Sequence, residues 1–132
     1  MILVDTSIWV ELLNGHLGEE LDGDIAERFV TCGPVVQEVL QGLRPSAVRK
    51  FQAYFGSLPR LLDPLPERIF IQAAEIYRLG RQSGYTIRTP HDCLIAAIAI
   101  EADVPVWHRD QDFDFIARYT ELKIHERLRA AN

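Results

Sequence analysis

The stretch MILVDTSIWVELL, residues 1–13, sets the apolar Ile2, Leu3 and Val4 directly before Asp5-Thr6-Ser7 and a run in which Ile8, Trp9, Leu12 and Leu13 share one helical face. Asp, Thr and Ser favour helix starts because their side chains accept hydrogen bonds from the free N–H groups of the first turn. Gly15 supplies a stop. The stretch therefore reads as strand, then helix, with an aspartate at the junction.

The same grammar recurs along the chain. RFVTC (28–32) reads as a second strand, with Gly33-Pro34 as a turn and Pro34 suited to the first helical position before VVQEVLQGL. Helices are expected over about 46–55 and 66–82, separated by LPRLLDPLP, where Leu61-Leu62 between prolines reads as a further strand. After Gly84, a helix stop, Thr89-Pro90-His91-Asp92 opens CLIAAIAIEA, a helix apolar nearly all round and so expected at the centre of the core. VPVW (104–107) then reads as a strand, FDFIARY (113–119) as a short helix and LKI (122–124) as a last strand. Alternating strands and helices predict an α/β fold with a mostly parallel central sheet of four or five strands flanked by helices. No repeat, low-complexity tract or linker interrupts the pattern, so residues 1–132 read as a single domain.

Composition narrows the class. With 48% hydrophobic residues in 132, the chain has the material for a sizeable core. Cys32 and Cys93 are its only cysteines, too few for a disulfide framework and without the spacing of a zinc knuckle, so both read as core thiols of a reducing compartment, the cytoplasm. The start lacks a basic signal-peptide region, and no apolar run approaches the roughly 18 residues of a membrane span. The net charge of −5, from 19 acidic and 14 basic residues, at first disfavours a nucleic-acid partner.

The acidic residues are not spread evenly. In open parallel sheets, ligands bind beyond the carboxyl ends of the strands. Asp5 follows the first strand, Asp110 and Asp112 follow VPVW, Asp92 lies in the first turn of the central helix, and Glu38 borders the apolar arc of the helix after the second strand. Carboxylates gathered at one sheet edge repel unless a cation or a proton separates them, and hard divalent cations prefer oxygen ligands. Each residue also has a structural reading. Asp5 can cap the first helix, Asp92 with Thr89 the central one, and Asp112 the last, while Glu38 can be a solvated helical glutamate. Asp114 is expected to face solvent from within the last helix. His91 and His108 show no metal-binding spacing and read as polar positions near the site, and Trp9 and Trp107 read as core. Gly-rich phosphate loops and serine-nucleophile motifs are absent.

Taken in order, MILVDTSIWVELL, PVVQEVLQGL, TPHDCLIAAIA and WHRDQDFDFIA resemble the motifs of PIN-domain ribonucleases, and more narrowly of the VapC toxins of toxin-antitoxin pairs, over residues 1–117. The resemblance implies a metal-dependent endoribonuclease, the toxin of a type II pair. It implies Mg²⁺ or Mn²⁺ held by Asp5, Asp92, Asp110 and Asp112, with Asp5, Glu38, Asp92 and Asp110 as the catalytic acids and Thr6 in support behind them. It further implies an RNA substrate such as a transfer or ribosomal RNA, a VapB-like antitoxin and a homodimer. Many relatives carry threonine and asparagine where this chain has HRDQD, which leaves the division of labour between Asp110 and Asp112 open.

Under this reading the charge objection weakens. Setting aside the five site carboxylates leaves 14 acidic residues, equal in number to Lys plus Arg. Arg44, Arg88 and Arg109, with Arg49 and Lys50, are then candidate phosphate contacts. Two other functions share the acidic pattern: a metal-dependent phosphatase and a catalytically inactive PIN-like binding module. Against the first, Asp5-Thr6-Ser7 lacks the second aspartate of an aspartyl-phosphate motif.

Overall fold

The structure is a computed structural model and describes residues 1–15 and 24–126. At its centre β1 (Ile2–Val4) is buried along its whole length. A strand covered on both faces shows no side to water, which is why its sequence is a continuous apolar run rather than an alternating one. β2 (Phe29–Val30) and β3 (Val106–Trp107) flank it in the order β2-β1-β3, both parallel to β1. Ile2 lies opposite Phe29, and Leu3 opposite Val106.

Single parallel bridges extend both edges. Thr31 pairs with Arg60, and Val106 with Ile124, so the expected outer strands at 61–62 and 122–124 survive as one-residue contacts. The first is shifted one residue back, with Thr31 N–H donating to Pro59 and Leu61 N–H to Thr31. Leu62, at φ 49, then leaves the extended conformation.

Parallel strands require crossovers, and helices supply them. They are α1 (Thr6–Leu13), α2 (Gly33–Gln41), α3 (Pro45–Ser57), α4 (Glu67–Gln82), α5 (Pro90–Ala102) and α6 (Gln111–Tyr119). Gly15 at φ 79 follows α1 and Gly84 at φ 88 follows α4, left-handed positions that suit a residue without Cβ. α5 is the buried core helix that its sequence predicts: Cys93 and Ile95 through Ala99 are all enclosed, and α4 packs along it. Trp9 joins α1 to the sheet, its Nε1 donating to the Val4 carbonyl at 3.1 Å while its ring meets Phe29 and Phe55 edge-on. Trp107 is fully buried, so both tryptophans are core residues, as expected. Both cysteines are free and buried, and burial pushes each thiol up to about 12, which leaves them unreactive at neutral pH. Among the described residues no helix is long and apolar enough to cross a membrane.

α6 begins two residues earlier than its apolar pattern indicates, because Asp110 rather than Asp112 is its N-cap. This shift matters at the site, since it changes which carboxylate oxygens are already committed to the backbone.

Candidate metal centre

Because all strands run the same way, their carboxyl ends and the amino ends of the following helices meet at one edge. Asp5 sits there as N-cap of α1. Its Oδ2 accepts from the Ser7 N–H at 3.1 Å and the Ser7 hydroxyl at 2.6 Å, while its own N–H donates to the Trp107 carbonyl. Asp92 lies in the first turn of α5, only 3% exposed. Asp110 ends the loop after β3, and its Oδ1 accepts from the Asp112 N–H at 2.9 Å. Glu38, one turn into α2, accepts from the Thr6 hydroxyl at 3.2 Å, so Thr6 supports Glu38 from the start of α1.

The result is two groups of carboxylates sharing one member. Oxygens of Asp5, Glu38 and Asp92 lie within 4.8 Å of one another, and so do oxygens of Asp92, Asp110 and Asp112. All five acids singled out in the sequence therefore converge. The electrostatic cost appears in the carboxyls themselves. Burial first, then the charges of Asp110 and Asp5, push Asp92 up to about 9. Burial also raises Asp5, against the opposing hydrogen bonds from Ser7. Asp92 Oδ2 is buried with no hydrogen-bond partner among the described residues, an arrangement that normally costs free energy unless something else satisfies the oxygen. An all-oxygen donor set with an orphaned buried oxygen at its shared vertex fits a hard divalent cation.

Three sequence expectations need correction. Asp112 does not cap α6. It is 1% exposed, its Oδ2 accepts from the Arg88 N–H at 3.1 Å, and the capping oxygen belongs to Asp110. Asp114 does not face solvent, since its Oδ1 lies 3.3 Å from His108 Nε2 and its side chain is only 30% exposed. Thr89 occupies the N-cap of α5 without a side-chain capping bond, so Asp92 is not part of a capping pair. Arg88, 24 residues away, decided where the Asp112 oxygens went, whereas Asp110 caps α6 locally and Asp114 meets His108 within the same stretch of chain.

The basic candidates separate. The Arg88 guanidinium lies 3.3 Å from Asp110 and 3.6 Å from Asp112, at the exposed lip of the cluster. Arg109 pairs with Glu11 at 3.3 Å, next to the site through its backbone. Arg44, Arg49 and Lys50 are exposed at the start of α3 and along it. His91 is a polar neighbour as expected: its Nε2–H donates to the Pro34 carbonyl at 2.9 Å and lies 3.8 Å from Glu38. Ser7 escaped the sequence reading. Its hydroxyl donates to Asp5 and accepts from the Arg109 N–H at 2.9 Å, tying the ends of β1 and β3 together across 102 residues of chain. Its place beside Asp5 at a helix start was the only local signal.

Asp110→Ala is expected to lose about 0.5–2 kcal/mol of stability through the lost cap, whereas Asp112→Ala leaves the α6 cap in place. Denaturant melts of the metal-free variants, read alongside amide exchange in the first turn of α6, would test it. Faster exchange there in Asp112→Ala than in Asp110→Ala would reverse the assignment.

A parallel α/β sheet with acids converging at its carboxyl edge forms a site suited to a hard divalent cation. The chain belongs to the PIN domain family, whose pattern matches residues 2–119. Ribonuclease VapC11 of Mycobacterium tuberculosis is 40% identical over 131 residues, covering 93% of this chain and 96% of that one. The fold also matches the crystal structure of FitAcB from Neisseria gonorrhoeae, with a TM-score of 0.69 at 22% identity over 94% of this chain and 96% of that one. It matches VapBC-1 from nontypeable Haemophilus influenzae with a TM-score of 0.69 at 18% identity, over 95% and 97% of the two chains.

Proposed function

We propose that this protein is a divalent-cation-dependent endoribonuclease and the toxin of a type II toxin-antitoxin pair. The observation that carries the reading is the pair of carboxylate triads joined at Asp92, with its buried oxygen unpartnered. The 40% identity to a protein named as a VapC ribonuclease supports RNA as the substrate. Asp5, Asp92, Asp110 and Asp112 would hold Mg²⁺ or Mn²⁺. When bound, such an ion supplies Lewis-acid charge to the phosphoryl oxygens and makes a bound water easier to deprotonate.

The chain's own groups do the rest. Thr6 occupies Glu38 Oε1, leaving Oε2 to accept the proton of the attacking water. Ser7 holds Asp5 Oδ2, so that Oδ1 is the oxygen available to the centre. Arg88, at the lip, and Arg109, beside it, are placed to meet backbone phosphates, and Arg88 exchanges its carboxylate partners for phosphate as RNA arrives. Arg44 extends the basic surface along the start of α3. In-line attack leaves a 5′-phosphate and a 3′-hydroxyl. The substrate is RNA, such as a transfer or ribosomal RNA, the restraining partner a VapB-like antitoxin, the assembly a homodimer and the compartment the cytoplasm.

The test is an assay on total cellular RNA and on a generic phosphoester, with and without chelator, beside Asp5→Asn. Chelator-sensitive RNA cutting by the wild type that Asp5→Asn lacks is the expected result. Turnover of the phosphoester alone would favour a phosphatase, and no turnover of either a binding module.

A further inference from the structure

The HRDQD loop contains an arrangement that the metal reading does not use. Asp110 lies beyond the end of β3, and its N–H donates to His108 Nδ1 at 3.0 Å. A ring nitrogen that accepts a hydrogen bond carries no proton, so the neutral imidazole must carry its proton on Nε2. That nitrogen lies 3.3 Å from Asp114 Oδ1, one turn into α6. The ring itself is enclosed, with its side chain 4% exposed and the Phe113 ring 5.1 Å away. The Asp110 backbone and Asp114 thus face the two ring nitrogens: the Asp114 charge, 3.3 Å away but not closing a hydrogen bond, favours a proton on Nε2, and that tautomer leaves Nδ1 as the acceptor.

We infer that His108, held in its Nε2–H tautomer by Asp114, is a positioning residue that aims the Asp110 carboxylate at the cation site. The inference rests on the reading of Asp110 as a metal ligand. The loop is pinned by the Arg109 N–H on Ser7, the Asp110 N–H on His108, the Phe113 N–H on the Asp110 carbonyl, and the Asp112 N–H and Arg88 on Asp110 Oδ1. Among these, His108 is the group that takes the Asp110 N–H and so fixes the peptide from which the side chain springs. Partners that orient a ligand without touching the metal influence affinity by about 10- to 100-fold. A purely packing role for His108 against Phe113 would instead tolerate an apolar residue of similar size.

Calorimetric titration of the metal-free full chain with Mn²⁺ separates these. His108→Leu should bind about 10-fold or more weakly while melting cooperatively. His108→Asn, whose Oδ1 takes the place of Nδ1, should recover most of that loss. Asp114→Ala should weaken Mn²⁺ binding in the wild type but add nothing in the His108→Asn background, where no tautomer needs selecting. Nitrogen-15 spectra of the histidine rings should show the proton on Nε2 in the wild type, and a mixture of tautomers in Asp114→Ala. Wild-type affinity in His108→Leu, or an equal effect of Asp114→Ala in both backgrounds, would overturn the inference. Asp110→Ala keeps the two readings apart. If it binds Mn²⁺ normally, Asp110 is no ligand and both readings fall. If it loses binding while His108→Leu does not, the inference about His108 falls alone.

Discussion

Asp92→Asn should remain folded, lose at least about 100-fold in RNA cleavage, and show little or no rise in melting temperature with Mn²⁺. Asp92 is the one residue common to both carboxylate groups, so its loss removes a ligand from each. Removing a residue that merely orients a ligand already costs about 10- to 100-fold, and the shared ligand should cost more. The fold should not suffer. Asp92 is buried, with its carboxyl pushed up to about 9, so asparagine replaces a group that is mostly neutral at pH 7 when no cation is present. The metal-free variant should therefore melt at or above the wild-type temperature at slightly alkaline pH. Cleavage by folded Asp92→Asn at the wild-type rate would remove Asp92 from the centre, and a large drop in its metal-free stability would show that the carboxylate has a structural role.

Metal-free wild type should lose stability relative to Asp92→Asn as pH rises. A carboxyl raised from 3.8 to about 9 binds more protons in the folded than in the unfolded chain throughout that interval. Stability falls with pH wherever the folded state holds the extra proton, so Asp92 favours folding most below about pH 4 and progressively less toward pH 9. Asp5 is raised as well and acts in the same direction. One such group changes stability by at most about 1.4 kcal/mol per pH unit, and by less where solvent screens it. A divalent cation reverses the trend, because it binds the deprotonated carboxylates and stabilises only the folded chain. Thermal melts between about pH 5 and pH 8, in chelator and in saturating Mn²⁺, should diverge, with the metal-induced rise growing with pH. Asp92→Asn should flatten the chelator series. A metal-free wild type whose stability falls no faster with pH than that of Asp92→Asn would contradict the electrostatics assigned to the cluster.

Local chemistry alone carried much of this protein. Short runs with no polar face mark strands buried on both sides, and β1 between its two parallel neighbours bears that out. An apolar helix without a wet face must lie in the core, as α5 does. Asp5 as a cap, and the gathering of Asp5, Glu38, Asp92, Asp110 and Asp112 at one edge, follow from strand-then-helix order in a parallel sheet. These features depend on residues within a turn or two of one another, or on a topology with few solutions, so a linear chain records them. The allocation of individual oxygens is not recorded that way. Arg88 claims Asp112, and the Ser7 hydroxyl reaches Arg109 from the far end of the chain. The sheet edges, reduced to single bridges at Arg60 and Ile124, depend likewise on partners distant in sequence. The class of fold and the set of acids that meet were legible in the linear chain. Which of their oxygens stay free for a cation depends on the folded packing, because a buried hydrogen bond is settled by whichever partner comes within about 3 Å.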